Sequence, residues 1–137
     1  NIIPKIDIML DNNYTKEEMK VVWETRKILN IPDLAVSCTA VRIPIFRSHS
    51  LSISVETKKP IDIDEIEEIL KDKDGINIEE LPMPINATEK YDVNVGRFRE
   101  SLVFKNGLDF FVSGDQLLKG AALNSYQIAM KILELEE

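Results

Sequence analysis

The sequence predicts an α+β fold in which helices back a mixed, largely antiparallel sheet. Two observations indicate this class. Stretches that alternate apolar and polar residues, typical of half-buried strands, are interspersed with stretches whose apolar residues follow a helical period. Capping residues, prolines and an Asn-Gly pair mark the boundaries between them. The predicted order is strand, helix, two strands, helix, a long loop, three strands and a final helix, which together form an α+β domain.

The first 44 residues are predicted to form a strand, a helix and a second strand. Residues 1–10 alternate apolar and polar positions, as a half-buried strand does. Thr15 and Glu18 have the spacing of a capping box, which begins a helix that runs to about Leu29. Residues 34–42 are rich in Val, Thr and Cys and favour a strand. The helix is predicted to bury a stripe made of Met19, Val22 and Trp23.

The middle of the chain contains the clearest strand, residues 49–57. One face of this strand carries His49, Leu51, Ile53 and Val55. Asp62 is placed to cap an acidic helix that closes at Gly75. Residues 81–92, with two prolines, are predicted to be a long loop, which either has a functional or interface role or is only irregularly packed.

The last third is predicted to contain a strand, a hairpin and a helix. Residues 93–95 favour a strand. Asn106-Gly107 lies between two strand-like runs within 102–111, and this pair is the strongest short-range hairpin signal because both residues tolerate positive φ. Apolar doublets from about 117 to 135 predict the final helix.

Composition excludes several classes of protein. The 137 residues, 44% apolar and 30% charged, fit one soluble domain of roughly 100–150 residues and not a disordered chain. No apolar run reaches the roughly 18–20 residues that span a membrane. A net charge of −7 without a basic stripe argues against nucleic acid as a partner. The excess acid lies in residues 62–80 and is interpreted as the solvated face of one helix.

Cys38 is the single cysteine, so neither an intrachain disulfide nor a thiolate metal cluster can form. We therefore expect no metal site and a reducing, cytoplasmic location. Cys38 lies in a predicted strand without an adjacent base, which favours a buried, inert thiol over a nucleophile. The chain begins with Asn1 and has no signal segment, so it is expected to be a fragment or a processed product.

His49 and Arg42 are the first candidates for chemistry. His49 is the only imidazole, and Arg42 precedes it by seven residues across a predicted turn, so both can point into one cleft. Imidazole exchanges protons near neutral pH, and a guanidinium holds a carboxylate with two hydrogen bonds. The structural alternative is that His49 is a core or edge histidine and that Arg42 pairs with a surface acid.

A second group lies on the first helix. Glu17, Lys20 and Glu24 are three and four residues apart and therefore share one face, where an exposed ion-pair ladder is the structural interpretation. No Gly-rich loop of the kind that binds phosphates follows a strand anywhere in the chain. The sequence thus carries no nucleotide-binding fingerprint of its own.

Four ordered motifs resemble a known family. They are Thr15-Lys16-Glu17-Glu18-Met19-Lys20, Val41-Arg42-Ile43-Pro44 with His49-Ser50, Val95-Gly96-Arg97-Phe98-Arg99, and Lys119-Gly120-Ala121-Ala122-Leu123-Asn124. With Gln127-Ile128-Ala129 after them, they resemble the C-terminal part of aspartate-semialdehyde dehydrogenases over essentially all 137 residues. The resemblance implies a fold like the C-terminal domain of glyceraldehyde-3-phosphate dehydrogenase. It also implies a homodimerising and substrate-binding domain over residues 1–113, followed by a helix, residues 114–137, that docks on an N-terminal cofactor domain.

The resemblance also implies a reaction. Members of the family reduce 4-phospho-aspartate to aspartate 4-semialdehyde with NADPH and release phosphate through a cysteine thioester, in lysine, threonine and methionine biosynthesis. By resemblance, His49 is the acid/base catalyst and Arg42 holds the substrate carboxylate. Glu17 faces the substrate amino group and Lys20 binds the phosphate. Asn124 and Gln127 lie near the nicotinamide of NADP, which is bound mainly by the N-terminal domain.

The sequence also departs from the family pattern. The cofactor domain and the Asn-x-x-Cys segment with the nucleophile are not among these 137 residues, so we expect the chain alone to be inactive. Gly114-Asp115-Gln116 stands where many members have Ser-Asp-Asn. Two alternatives stay open: a non-catalytic dimerising module that binds an anionic metabolite, and a related acyl-phosphate reductase with another substrate.

Overall fold

The computed structural model describes residues 1–136 and divides the chain into two compact units. The first unit spans Asn1–Pro44 and the second begins at Ile45. The predicted functional division after residue 113 is a different kind of boundary and stays a prediction. Among residues 1–136, no helix is both long enough and apolar enough to cross a membrane.

The first unit is built around helix α1, Lys16–Ile28. Its predicted capping box is confirmed: the amide of Glu18 donates to Thr15 Oγ1 at 3.2 Å, and the amide of Thr15 donates to Glu18 Oε2 at 2.7 Å. The predicted stripe is only partly right. Val22 is buried, but Trp23 is 51% exposed, and the inner face of the helix includes the buried carboxylate of Glu18 in its place.

The two strands predicted in this unit are wrong. Residues 1–10 form only isolated bridges, from Ile3 to Arg42 and from Met9 to Thr15. Asp7 has a φ of 71°, which interrupts the extended backbone that a strand needs. Residues 34–42 form no strand either, apart from the single bridge at Arg42.

Side chains of α1 bind two backbone groups of residues 34–42 and so compete with a strand partner there. Arg26 Nε donates to the carbonyl of Leu34 at 2.8 Å, and Glu18 Oε1 accepts from the amide of Ala40 at 2.9 Å. Backbone polar groups that are satisfied by side chains no longer need a neighbouring strand. β-branched composition alone could not reveal this competition.

The second unit contains a four-stranded sheet. Its elements are β1 His49–Glu56, α2 Ile63–Lys71, β2 Ile76–Ile78, α3 Pro84–Ala87, β3 Val93–Glu100, β4 Gly107–Gly114, a π-helical turn Leu118–Ala122 and α4 Leu123–Glu136. The strand order is β1-β4-β3-β2, with β2 and β3 parallel and both other pairs antiparallel. The predicted mixed, largely antiparallel sheet is therefore confirmed.

The hairpin is correct in kind but wrong in its first strand. β4 pairs with β3, and residues 101–106 form the connection. Gly107 is needed for close approach: a Cβ there would lie 2.5 Å from Ser101 Cβ and 2.7 Å from Phe104 Cβ. The glycine therefore reflects a tight six-residue connection and not a two-residue turn. The sequence does not predict β2, because three residues are too few to show the alternation of apolar and polar residues that indicates a strand.

Helices cover the sheet, and the core is small. α2 packs on β2 and β3, and α3 packs on β3 and β4. The predicted loop over residues 81–92 thus contains a short helix whose Ala87 is fully buried, together with Val95 and Leu108 of the sheet. α2 begins as predicted, with Asp62 accepting from the amides of the first turn.

Candidate functional site

The candidate residues are distributed over both units, and the first unit carries Glu17, Lys20 and Arg42. Lys20 Nζ and Glu17 Oε2 lie 3.0 Å apart, with both side chains partly exposed. The hydrogen bond and the charge of Glu17 raise the pKa of Lys20, with a smaller contribution from Glu24. One pair of the predicted ladder therefore forms, and it further stabilises the positive charge of Lys20, which an anion-binding group needs.

Arg42 is held through its backbone and exposes its side chain. Its amide donates to the carbonyl of Ile3 and its carbonyl accepts from the amide of Ile3, both at 2.9 Å. No ion pair of its guanidinium is found among residues 1–136. The alternative in which Arg42 pairs with a surface acid is therefore not what this structure contains, and its five N–H donors remain available for a ligand.

Glu18 positions the segment that carries Arg42. Besides closing the capping box, its carboxylate accepts from the amide of Ala40, two residues before Arg42. The bonds from the Thr15 and Ala40 amides hold the pKa of Glu18 below its ordinary value despite burial. Sequence reasoning assigned Glu18 only to the cap, since a bond to a distant backbone amide leaves no mark in the sequence.

We expect Glu18→Gln to destabilise the first unit in a pH-dependent way. A carboxylate whose pKa is lowered by folding contributes stability above its unfolded pKa, and this contribution is lost as pH falls through the folded value. The difference in free energy of unfolding between wild type and variant is thus full near neutral pH and shrinks in acid. Trp23, the only tryptophan, lies in α1 and reports the transition by fluorescence.

Glu24→Gln is the matched control for this prediction. Glu24 is an exposed acid on the same helix, and no hydrogen bond to its carboxylate is found among residues 1–136. A difference between Glu18→Gln and wild type that stayed constant down to acid pH would show that the charge of Glu18 contributes nothing.

The surroundings of Cys38 do not favour a nucleophilic role. Its thiol donates to the carbonyl of Glu18 at 3.7 Å. Burial, followed by the negative charges of Glu18 and Glu17, raises the pKa of this thiol. Because the thiolate is the reactive form, these surroundings favour the inert role predicted from the sequence.

His49 begins β1 in the second unit, opposite Gly114 of β4. It is exposed, and its ring makes no hydrogen bond to any residue from 1 to 136. The neighbour on its face, Leu51, is 47% exposed as well. His49 is therefore not a satisfied core histidine, and its imidazole is open to a reacting group.

The residues just before His49 are held by side chains to which sequence reasoning assigned no contact with this segment. The amide of Ser48 donates to Gln116 Oε1 at 2.7 Å, and the hydroxyls of Ser48 and Thr88 lie 2.9 Å apart. Arg47 Nη2 lies 2.8 Å from Asp115 Oδ2. No motif spacing could have found these contacts, because they join three distant parts of the sequence.

Asn124 and Gln127 lie three residues apart on α4 and are both half-buried. Gln127 Oε1 accepts from Lys119 Nζ at 2.7 Å. The side-chain amide of Asn124 makes no hydrogen bond within residues 1–136, so its NH₂ donor and its carbonyl acceptor are both available. Within the same residues, no three His, Cys, Asp or Glu side chains are grouped so that they could hold a metal ion.

Comparison with known proteins supplies the family. Residues 1–119 match the family described as "Semialdehyde dehydrogenase, dimerisation domain". Aspartate-semialdehyde dehydrogenase of Aquifex aeolicus is 46% identical over 135 residues, which cover 94% of this chain and 40% of that protein. The Bacillus subtilis protein of the same name is 44% identical over 142 residues, covering 98% and 41% respectively. The chain thus spans about two fifths of the length of these relatives.

A solved structure shows the same fold. It is aspartate semialdehyde dehydrogenase II of Vibrio cholerae complexed with ASA, which is 41% identical and superposes with a TM-score of 0.92 over 98% of this chain and 41% of that one. The expected likeness to the C-terminal domain of glyceraldehyde-3-phosphate dehydrogenase is confirmed with it. The family match, the identities and the shared fold agree with one another, and this chain belongs to the semialdehyde dehydrogenase dimerisation-domain family.

Proposed function

We propose that this chain is the C-terminal part of an aspartate-semialdehyde dehydrogenase. The reaction is the NADPH-dependent reductive dephosphorylation of 4-phospho-aspartate to aspartate 4-semialdehyde, in lysine, threonine and methionine biosynthesis. One observation carries the proposal: relatives with this name are 42–46% identical over nearly the whole chain. The side chains of Arg42 and His49 support the proposal, because both are exposed and neither has a hydrogen-bond or ion-pair partner among residues 1–136.

The first unit supplies charged side chains that are proposed to bind the substrate. The substrate carries a carboxylate, an amino group and a phosphoryl group. Arg42 offers a two-bond fork to the carboxylate. Glu17 is proposed to face the amino group, and Lys20, kept charged by Glu17, to bind the phosphate that leaves. A cation beside a multiply charged leaving group stabilises it, which gives Lys20 its place in the reaction.

His49 is proposed as the acid/base catalyst. Thioester formation requires that a proton leave the attacking thiol and that one be supplied when the intermediate breaks down. The ring of His49 is exposed and has no competing hydrogen bond among the described residues, so it can take and return this proton. The nucleophilic cysteine of this mechanism is not Cys38.

The residues of α4 fit a limited role toward the cofactor. NADPH, when bound, supplies the hydride. The Asn124 amide, with a donor and an acceptor unused within residues 1–136, suits a nicotinamide carboxamide, whereas the acceptor of Gln127 is already engaged by Lys119. The chain offers no Gly-rich phosphate loop. We therefore propose that α4, within residues 114–137, docks on a cofactor domain that binds most of NADP.

We further propose that residues 1–113 dimerise and bind substrate, and that the enzyme is a cytoplasmic homodimer. The description of the matching family as a dimerisation domain supports the homodimer. Phosphate and aspartate semialdehyde are then its small-molecule partners. The Vibrio cholerae protein, which has the same fold, was solved in complex with ASA, and this complex supports aspartate semialdehyde as the substrate here.

The function is tested by measuring phosphate-dependent, NADP-linked oxidation of aspartate semialdehyde. We expect turnover by the full-length protein and none by the 137-residue chain alone, since the nucleophile and most of the cofactor site are proposed to lie outside these 137 residues. Cys38→Ala is the control for the isolated chain. Reduced cofactor formed by the chain above the level of this control would contradict the assignment of Cys38.

Two other results would point to the alternatives. A full-length protein that dimerises and binds the semialdehyde without turnover would be a non-catalytic module. Turnover with another acyl phosphate, but not with aspartate semialdehyde, would identify a related reductase. Either result would overturn the proposed function.

A further inference from the structure

His49 is fixed by its neighbours and not by bonds to its own ring. In the backbone, Ser48 precedes it and Ser50 follows it. The amide of Ser48 is bound by Gln116 Oε1, and the hydroxyl of Ser50 lies 2.8 Å from that of Ser113. The ring of an exposed histidine can still be aimed accurately, provided that the backbone on which it stands cannot move.

Asp115 is the most heavily used acceptor at this end of the sheet. It is completely buried. Its Oδ2 accepts from the amide of Glu89 at 2.7 Å and from Arg47 Nη2 at 2.8 Å, and its Oδ1 accepts from the amides of Leu117 and Leu118 at 2.9 and 3.3 Å. A carboxylate with four donors has its accepting positions filled, so burying its charge is compensated.

The charge of Asp115 is maintained by these contacts. Burial alone would raise the pKa of Asp115, but the amides of Glu89 and Leu117 and the guanidinium of Arg47 together hold it below its ordinary value. Asp115 is thus an anion in the folded protein and a counter-ion for Arg47, two residues before His49.

The backbone around this carboxylate is strained. Ser48 has a φ of 79° and Glu89 a φ of 62°, which non-glycine residues rarely adopt. Their two amides are the ones that donate to Gln116 and Asp115. Such conformations persist only where the surroundings over-determine them, and they gather at functional sites. The adjacent pair Asp115-Gln116 is what over-determines them here.

We propose that Asp115 and Gln116 are positioning residues that hold the 47–48 segment and thereby aim the imidazole of His49. The inference rests on the proposed function in one respect, namely that His49 transfers protons. Asp115 also binds the amides of Leu117 and Leu118, so the same carboxylate begins the helical segment that leads to Asn124. One buried anion thus fixes both the catalytic histidine and the start of the segment proposed to face the cofactor.

The first readout uses the 137-residue chain, in which His49 is the only histidine, so its imidazole proton NMR signals are assigned without ambiguity. Asp115→Asn removes the negative charge and turns an amide NH₂ either toward the donors of Glu89 and Arg47 or toward those of Leu117 and Leu118, so one pair of donors loses its acceptor. We expect the chemical shift and line width of the His49 signals to change in this variant while circular dichroism shows it folded.

Asp109→Asn is the matched control. Asp109 lies on β4, the strand that Asp115 follows, and it pairs with Ser54, five positions along β1 from His49, which is about 17 Å at the usual rise per residue. Its contact with Arg99 is long, at 4.0 Å. The His49 signals of this variant are expected to match those of the wild type.

The second readout is activity of the full-length enzyme. Misplacing a catalytic group by about 1 Å can lower the reaction rate roughly 10²-fold, so we expect Asp115→Asn to lower kcat by about that factor. The KM for aspartate semialdehyde is expected to change less than about threefold, since Arg42 and not His49 binds its carboxylate. Asp109→Asn is expected to keep wild-type kcat.

A second pair of variants keeps the test decisive if Asp115→Asn does not fold. Gln116→Leu removes the acceptor for the Ser48 amide, whereas Gln116→Glu retains one. We expect the first to change the His49 signals and lower kcat, and the second to restore both. A merely structural role would lower the melting temperature in Gln116→Leu without moving the His49 signals.

The two readouts separate the inference from the proposed function. Folded Asp115→Asn and Gln116→Leu with wild-type His49 signals would overturn the inference, whatever their activity. Changed signals together with unchanged kcat would support the positioning of His49 by this pair and would instead remove the proton-transfer role from the proposed function.

Discussion

His49→Asn in the full-length enzyme is expected to lower kcat roughly 10²–10⁴-fold with little change in KM. Asparagine retains a hydrogen-bonding side chain of similar shape but cannot exchange a proton near neutral pH. Substrate binding is expected to change little, because Arg42 is the residue proposed to bind the substrate carboxylate. The kcat, KM and melting temperature are to be measured on the same preparation, so that loss of folded protein is not mistaken for loss of turnover.

His49→Asn is expected to leave the fold intact. The ring of His49 is exposed and makes no hydrogen bond within residues 1–136, so its replacement removes no side-chain hydrogen bond and leaves the pairing with Gly114 to the backbone. We therefore expect a melting temperature close to that of the wild type. Normal turnover per folded molecule would end the catalytic assignment of His49.

Leu51→Asn provides the comparison for this variant. Leu51 lies two residues further along β1, on the same face, and is 47% exposed. The same new side chain at that position tests whether an added amide on this face disturbs turnover by itself. Turnover near the wild-type value is expected for Leu51→Asn.

The fold class was predictable because β1 and the starts of two helices follow simple patterns. β1 alternates apolar and polar residues and pairs with β4 along its whole length. α1 and α2 begin at the capping residues that the sequence indicates, Thr15 and Asp62. In these elements local propensity and tertiary packing favour the same structure, which is the condition under which a single sequence is informative.

Two of the failures come from contacts that a local sequence pattern does not contain. Residues 34–42 have strand composition, but Arg26 and Glu18 of α1 take hydrogen bonds that a strand partner would have made. Gly107 follows an asparagine, yet it is needed for the close approach of Ser101 and Phe104. Neither fact depends on neighbouring residue types, so no local pattern contains it.

The candidate site was predictable only as far as a motif names its residues. His49 and Arg42 stand out as the single imidazole and an arginine seven residues before it, and the structure leaves both side chains exposed. That they share one cleft stays a prediction. Glu18 and Asp115, the buried carboxylates that fix the segments before these two residues, were found only from hydrogen bonds between parts distant in sequence.

Arg42→Leu in the full-length enzyme is expected to reduce kcat/KM by about 3–5 kcal/mol in transition-state free energy, mostly through a higher KM. Leucine removes a charged two-bond contact and leaves the substrate carboxylate without a partner. The backbone bonds of Arg42 to Ile3 do not involve its side chain, so the fold of the first unit is expected to persist. Arg42→Lys keeps the charge without the planar fork, so its kcat/KM is expected to lie between that of Arg42→Leu and that of the wild type.

A substrate analogue makes the assignment of Arg42 specific. 3-Aminopropanal is aspartate semialdehyde without its carboxylate, so it cannot use the proposed contact. Wild-type enzyme is expected to prefer aspartate semialdehyde strongly in kcat/KM, and Arg42→Leu to lose most of that preference while treating the analogue much as the wild type does. The coupling between the two changes measures the contact itself, because an effect on folding or on proton transfer would lower both rates alike. Equal losses with both aldehydes would show that Arg42 does not bind the carboxylate.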